Sequence, residues 1–172
     1  MGILSYFYPD RQSHSTYLVD FEELYRQGYR GIIFDIDNTL VPHGAEADAR
    51  CIELFERLKR IGFSTMLLSN NKEGRVKLFN EKIQTGYIFK AGKPGKKNYY
   101  KAMEQMGTEV DNTLFVGDQL FTDIWGAKRV GIYSILVAPI HPKEEIQIVL
   151  KRYPEKLVLF FYHRSLKRKE KK

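Results

Sequence analysis

Short apolar runs alternate with amphipathic stretches over most of the chain. Five of these runs are too short for helices, which is the pattern of buried strands. They are residues 31–34, 63–69, 86–89, 113–116 and 133–137. Because helical stretches separate them, the pattern predicts an α/β domain with a mainly parallel sheet.

The stretches between the runs carry apolar residues at helical spacing. We predict helices at 46–61, around Val76 and Phe79, at 95–106 and at 124–131, and a short lead-in helix near residues 19–25. Near the C-terminus, Ile146, Val149, Leu150 and Tyr153 predict an amphipathic helix. The apolar run 157–162 then predicts a strand or helix that covers the sheet edge or contacts another subunit.

The first strand ends in two carboxylates, Asp35 and Asp37, followed by Thr39. Buried carboxylates are costly unless they are paired or bound to a cation. This ending therefore favours a nucleophile and an acid/base residue gathered on a divalent metal. Asp and Asn are also common turn residues, so an ordinary turn is the alternative interpretation of this stretch alone.

Polar side chains also follow the next three strands. Ser69 follows the second strand, Lys93 the third, and Asp118 and Asp123 the fourth. In a parallel sheet with right-handed crossovers these ends share one edge, where ligands bind. Four neighbouring carboxylates require a cation, and such oxygen ligands suit Mg²⁺. A hydroxyl and an ammonium group beside that ion complete a phosphoryl-binding site.

The same residues resemble the motifs of the haloacid dehalogenase-like (HAD) phosphohydrolases. Residues 35–40, Asp-Ile-Asp-Asn-Thr-Leu, resemble the first motif, and Ser69 and Lys93 resemble the second and third. Gly117-Asp118 with Asp123 resembles the fourth motif. The resemblance covers about residues 30–140 and is closest to the small YqeG-type members of subfamily IIIA. It implies a Rossmann-like (HAD-type) parallel sheet flanked by helices.

The resemblance implies a role for each acidic residue. Asp35 would attack phosphorus and carry an aspartyl-phosphate intermediate. Asp37 would protonate the leaving alcohol and then accept a proton from water. The Asp35 side chain, the Asp37 backbone carbonyl and Asp118 would hold Mg²⁺, and Asp123 would support the metal's water shell or Lys93. Whether Asp118 or Asp123 contacts the metal directly stays open.

The resemblance implies roles for the other matching residues as well. Ser69, helped by the backbone at Asn70, would bind a phosphoryl oxygen, and Lys93 would neutralise charge on the nucleophile and the transferring group. Thr39 would brace the motif loop. An acid at the Asp37 position favours phosphoester hydrolysis over dehalogenation.

The loops leave no room for a cap domain. Residues 40–63 and 70–92, where such caps are inserted, hold little more than the predicted helices and strands. An open site suits a bulky substrate, such as a macromolecule or a lipid head group. Relatives of the YqeG type include phosphatidylglycerophosphate phosphatases, which makes that lipid one candidate.

Composition indicates a single domain. The chain has 172 residues, 43% of them hydrophobic, and one cysteine, Cys51, so an intrachain disulfide is excluded. We predict one domain over residues 1–162, with a lead-in segment at 1–29 and a basic tail at 163–172. Because no apolar run is long enough to span a bilayer and the N-terminus lacks a signal-peptide pattern, we expect a cytoplasmic protein.

The net charge of +7 is concentrated in the tail. Residues 164–172 hold six basic residues and one Glu, which leaves about +2 for the rest of the chain. The tail is compatible with a solvated terminus, with contact to an anionic membrane, or with nucleic acid, which is the less favoured partner. A homo-oligomer is a further open alternative.

These observations leave three functions in competition. The first is a Mg²⁺-dependent phosphatase. The second is a nucleic-acid or nucleotide end phosphatase that uses the basic tail, for which binding should depend steeply on salt. The third is a binding or scaffold protein without turnover, against which the intact set of acids, Ser69 and Lys93 stands.

Overall fold

A six-stranded parallel sheet forms the centre of the computed structural model, which describes residues 3–141 and 146–169. The strands are β1 (Arg11–Ser13), β2 (Gly31–Phe34), β3 (Ser64–Leu68), β4 (Gly86–Ile88), β5 (Thr113–Gly117) and β6 (Tyr133–Val137). Their order across the sheet is β1-β6-β5-β2-β3-β4, and every neighbouring pair is parallel. The predicted α/β class and parallel sheet are confirmed.

Helices connect the strands and cover both faces of the sheet. The α-helices are α1 (Phe21–Arg26), α2 (Ala49–Ile61), α3 (Glu73–Ile83), α4 (Lys97–Met106), α5 (Trp125–Val130) and α6 (Ile146–Lys169). Short 3₁₀ helices occupy Ile3–Phe7, Thr16–Leu18 and Val110–Asn112, and a π-helical turn, Leu120–Ile124, leads into α5. Within the described ranges no cap domain interrupts these elements.

Strand β2 lies in the middle of the sheet and is buried on both faces. Phe34 packs in the cluster that includes Phe21 and Phe55, whereas Ile33 packs on the other face with Tyr99 and Phe115. Burial on both faces explains why the strands read as continuous apolar runs instead of alternating ones. The chain leaves β2 towards β3 on one side and returns through β5 on the other, so the sheet has its switch point at the end of β2.

The sequence did not predict strand β1. Its residues, Arg-Gln-Ser, are polar and only partly buried, and it pairs with β6 at the sheet edge. A three-residue edge strand of this composition carries no apolar run, because one neighbour and solvent surround it.

Helix α6 is longer than the predicted amphipathic helix, and its apolar residues are distributed differently from the prediction. It is continuous from residue 146 to 169, so the run 157–162 is helical and the basic residues 163–169 extend the same helix. The side that faces the domain carries Val158 and Tyr162, whereas Leu150 and Tyr153, predicted for the apolar face, are exposed. Among the described residues, no helix combines the length and apolar character needed to cross a bilayer.

Candidate active site

Lys93 joins two of the predicted acids at the carboxyl edge of the sheet. Its Nζ lies 2.7 Å from Asp35 Oδ1 and 2.7 Å from Asp123 Oδ1. The Lys93 and Asp123 side chains are only 3% and 1% exposed. Burial by itself would lower the pKa of Lys93, but the carboxylates of Asp123 and Asp35 raise it, so the lysine carries a positive charge.

Thr39 links the nucleophile candidate to the acid after β5. Its hydroxyl lies 3.3 Å from Asp35 Oδ2 and 3.2 Å from Asp118 Oδ1. All three residues are buried, and Thr39 comes from the turn that directly follows β2. The hydroxyl therefore lies between the two carboxylates.

Asp123 approaches the backbone so closely that a side chain at residue 117 would collide with it. A Cβ atom at Gly117 would lie 2.5 Å from Asp123 Oδ2 and 2.7 Å from its Cγ. The same carboxylate accepts the Gln119 N–H at 3.1 Å and the Lys93 ammonium. Both Asp123 oxygens are thus already engaged by the protein.

The donor set fits a divalent cation. One carboxylate oxygen each from Asp35, Asp118 and Asp123 lies within 4.8 Å of the other two. Within residues 3–141 and 146–169, two cationic side chains pair with these three buried carboxylates, those of Lys93 and Arg152. Burial raises the pKa of Asp35 to about 7, against a lowering by Lys93, and burial also raises the pKa of Asp118. A bound cation would relieve this uncompensated charge.

Asp37 lies outside that cluster and has its own donors, Arg75, Asn71 and the Gly44 N–H, which we call the Asp37 clamp. Its Oδ1 accepts from Arg75 Nη2 at 2.8 Å and from the Gly44 N–H at 2.9 Å. Its Oδ2 accepts from Asn71 Nδ2 at 2.5 Å, and the His43 ring lies 4.0 Å away. The Arg75 and Asp37 side chains are 15% and 12% exposed, so this ion pair is largely buried.

The polar turn after β3 lies beside this clamp. Ser69 is fully buried, and its Oγ accepts from the Asn71 N–H at 3.1 Å and from Asn71 Nδ2 at 3.0 Å. The Asn70 side-chain amide pairs with the Lys93 backbone, through Oδ1 to the N–H at 2.8 Å and through Nδ2 to the carbonyl at 3.2 Å. Asn70 thereby holds in place the segment that presents the Lys93 side chain.

Two residues of α6 enter the site, and sequence reasoning missed both. Arg152 binds the Asp118 carboxylate and its backbone carbonyl, and Glu155 accepts the Leu120 N–H at 2.8 Å. The only available signal was the appearance of an Arg and a Glu three residues apart in a largely apolar helix. Sequence reasoning also missed Asn71, which binds Asp37. The polar triplet 69–71 was the signal that could have identified it.

A cavity of about 640 Å³ opens next to Asp118, between α6 and the ends of β1 and β6. Apolar side chains, among them Leu120, Val137 and Leu159, line most of it. Arg152, Lys156 and two histidines add polar groups to the wall. The cavity is therefore large enough for a substantial organic group beside the acidic cluster.

Comparison with known proteins identifies the family. A family model described as HAD-hydrolase-like matches residues 90–145. The chain is 36% identical over 165 residues to Probable phosphatase YqeG of Bacillus subtilis (strain 168), covering 95% of this chain and 94% of that protein. The chain belongs to the HAD phosphatases of the YqeG type. It is therefore a hydrolase of phosphoric monoesters, as the resemblance of its motifs predicted.

More distant relatives of this YqeG-type phosphatase agree with the family. Phosphatidylglycerophosphate phosphatase 1, chloroplastic/mitochondrial, of Arabidopsis thaliana is 27% identical over 141 residues, which span 76% of this chain and 40% of that protein. The cobalt-bound deoxy-D-mannose-octulosonate 8-phosphate phosphatase (YrbI) of Haemophilus influenzae superposes with a TM-score of 0.53 at 13% identity. That superposition covers 66% of this chain and 72% of YrbI, and it supports the shared fold.

Proposed function

We propose that this YqeG-type phosphatase hydrolyses a phosphomonoester through an aspartyl-phosphate on Asp35, with Mg²⁺ as its metal. The observation that carries the proposal is the buried cluster of Asp35, Asp118 and Asp123 around the Lys93 ammonium. Mg²⁺, when bound by Asp35, Asp118 and the backbone carbonyl of Asp37, supplies charge neutralisation for the phosphoryl group. On the resemblance of its sequence to the small YqeG-type members, we assign the protein to subfamily IIIA.

The residues of the chain have separable roles in this proposal. Asp35 attacks phosphorus, and the Lys93 ammonium, 2.7 Å from its Oδ1, offsets the charge of the carboxylate and of the transferring group. Asp118 is the direct metal ligand in this proposal. Both oxygens of Asp123 accept from Lys93 and the Gln119 N–H, whereas the one donor near Asp118 Oδ1, the Thr39 hydroxyl, can donate to Asp35 instead. Asp123 accordingly supports Lys93.

Asp37 acts as the general acid and then as the general base. Arg75, Asn71 and the Gly44 N–H fix its carboxylate at the rim of the site, where it is 12% exposed and can reach a leaving alcohol. The Ser69 hydroxyl and the backbone at Asn70 bind phosphoryl oxygens, and Thr39 braces the turn that carries both acids.

The substrate is a bulky phosphoester, and phosphatidylglycerophosphate is the lead candidate. The absence of a cap in the described ranges leaves the site open, and the cavity of about 640 Å³ beside Asp118 offers room for the alcohol part of the substrate. The candidate lipid comes from the printed name of the Arabidopsis relative, of which the chain covers 40%.

An anionic membrane surface is the partner that fits α6 best. Leu150, Tyr153, Leu157 and Phe160 recur every three or four residues on one side of the helix and are 58–68% exposed. The exposed charges of α6 are all basic: Lys151, Lys156, Arg164, Lys167, Arg168 and Lys169. Apolar side chains flanked by Lys and Arg suit a helix lying in the interface of an anionic bilayer. The protein would then be cytoplasmic and peripheral to the membrane. A homo-oligomer that paired this side of α6 with the same side of a second copy would bring two positively charged helices together, so we favour the membrane.

Phosphate release from two substrates tests the function. We would measure hydrolysis of a soluble aryl phosphate and of phosphatidylglycerophosphate in mixed micelles, with and without Mg²⁺, for the wild type and Asp35→Asn. Mg²⁺-dependent turnover that is lost in Asp35→Asn supports the chemistry, and preference for the micelles supports the lipid. If neither substrate is hydrolysed but a 5′-phosphorylated oligonucleotide is, the end-phosphatase alternative is favoured. No turnover of any of the three favours the scaffold alternative.

A further inference from the structure

Arg152, which lies on α6 and in none of the family motifs, hydrogen-bonds Asp118. Its Nη2 donates to Asp118 Oδ2, and its Nη1 donates to the Asp118 backbone carbonyl at 2.7 Å. The Asp118 side chain is completely buried, and that of Arg152 is 17% exposed. One guanidinium therefore fixes both the backbone and the carboxylate of the same residue, and a planar fork of donors suits that geometry.

The two oxygens of Asp118 have different partners. Oδ2 is held by Arg152, whereas Oδ1 faces Thr39 at 3.2 Å and, beyond that hydroxyl, Asp35. A hydroxyl has one proton and cannot donate to both carboxylates at once. Arg152 is thus the donor that keeps Asp118 oriented when Thr39 donates to Asp35, and it leaves Oδ1 directed at the cluster.

Glu155, one turn further along α6, ties the same helix to the segment after Asp118. Its Oε2 accepts from Arg152 Nη1 at 2.9 Å, and its Oε1 accepts the Leu120 N–H at 2.8 Å. The Val158 side chain, another turn along, packs against Leu120 and neighbouring apolar side chains. Since buried Arg and Glu side chains are costly without partners, these contacts define where α6 docks.

We propose that Arg152 is a positioning residue of the metal centre, which makes α6 part of the phosphatase site. Arg152 presents Asp118 Oδ1 to the cation and keeps the carboxylate from turning away from its acidic neighbours. Removing such an outer partner of a ligating carboxylate typically lowers metal affinity by about 10–100-fold. This inference rests on the metal-dependent activity proposed above, and wild-type Mg²⁺ binding tests that basis separately.

The test is Mg²⁺ affinity, measured by calorimetry without substrate. We would compare the wild type with Arg152→Gln, Arg152→Lys and Lys151→Gln, the last of which removes an exposed charge from the neighbouring position. We expect Arg152→Gln to weaken Mg²⁺ binding about 10–100-fold, Arg152→Lys to weaken it less, and Lys151→Gln to leave it unchanged. At saturating Mg²⁺, Arg152→Gln should regain most of the wild-type kcat with a nearly unchanged KM.

Other outcomes overturn the inference. Unchanged Mg²⁺ affinity with a raised KM would make Arg152 a substrate ligand, and unchanged affinity with only a lower Tm would make it a structural ion pair. Tighter Mg²⁺ binding in Arg152→Gln would mean that the guanidinium competes with the cation. If Arg152→Gln does not fold, Arg152→Lys, which keeps the charge and loses the fork, gives the same comparison. A wild type that binds no Mg²⁺ would instead refute the proposed metal dependence.

Discussion

Replacing Lys93 with methionine should destabilise the metal-free protein far more than removing a comparable lysine elsewhere. The Lys93 ammonium is the shared partner of Asp35 and Asp123, whose side chains are 11% and 1% exposed. Methionine has a similar length but no charge, so both carboxylates would stay buried without their cation. Breaking a buried pair on one side typically costs about 3–5 kcal/mol.

The matched control is Lys128→Met. Lys128 Nζ also lies 2.7 Å from a carboxylate, Asp10 Oδ1, but both side chains are 29% exposed. Ser134 continues to donate to Asp10 when the lysine is gone. Partly exposed pairs of this kind contribute up to about 1 kcal/mol. Two ion pairs of equal length therefore separate the effect of burial from the effect of distance.

The assay is urea unfolding in EDTA, followed by circular dichroism at pH 8. For a domain of this size, about 1 kcal/mol corresponds to a Tm shift of roughly 2–4 °C, so Lys93→Met should also lower the Tm by about 6–20 °C. The loss should be smaller at pH 5. In the wild type, with Lys93 present, burial raises the pKa of Asp35 to about 7, well above its unfolded value. Its buried charge is therefore present above that pH and is lost as the pH falls through it, so at pH 5 the lysine has less charge to offset.

Equal losses for Lys93→Met and Lys128→Met would refute this reasoning. Such a result would mean that water solvates the acidic cluster as well as it solvates the surface, and the raised pKa of Asp35 would have no basis. A Lys93→Met loss that does not change between pH 8 and pH 5 would contradict the charge argument alone.

Three other perturbations follow from the same geometry. Gly117→Ala places a Cβ 2.5 Å from Asp123 Oδ2, and overpacking of this kind should cost about 1–3 kcal/mol of unfolding free energy; an unchanged Tm would show that Asp123 can move aside. Arg75→Met removes one of the three donors of the Asp37 clamp and should lower kcat on the order of 10-fold, less than the roughly 10²–10⁴ of the acid itself, with KM nearly constant; a change in KM alone would assign Arg75 to substrate binding. Phe160→Glu should weaken binding to anionic vesicles about 10–100-fold in a flotation assay, from about 1.5–3 kcal/mol for an aromatic side chain, and Phe160→Tyr should bind as the wild type does; equal binding by both variants would place the membrane contact elsewhere.

The sequence predicts the fold where burial is two-sided. Strands β2, β3, β5 and β6 are continuous apolar runs because helices cover both of their faces, and the alternation with amphipathic stretches defines a parallel sheet. Edge strand β1 could not be predicted in this way. Residues Arg11–Ser13 form a strand because they pair with β6, and their own side chains carry no apolar pattern.

The sequence predicts which residues form the candidate site better than it predicts the hydrogen bonds between them. Strand ends share an edge, so a parallel sheet places Asp35, Lys93 and Asp118 along the same edge. Which carboxylate takes which donor depends on distances of a few tenths of an ångström, as at Thr39, and those follow from the packing of the whole domain. The roles of these residues in catalysis stay predictions.

Helix α6 shows why hydropathy could not orient the C-terminal helix. Large apolar side chains occur on both of its sides, so an apolar face read from Leu150 and Tyr153 does not determine which side meets the domain. The structure instead turns Arg152 and Glu155 towards the domain, where they bind the Asp118 carboxylate and the Leu120 N–H. The cost of leaving a buried carboxylate unpaired outweighs the roughly 1.5–3 kcal/mol gained by burying one apolar side chain. The polar contacts therefore determine which side of α6 faces the domain. The exposed apolar residues on the other side, Leu150, Tyr153, Leu157 and Phe160, form the surface that we assign to the membrane.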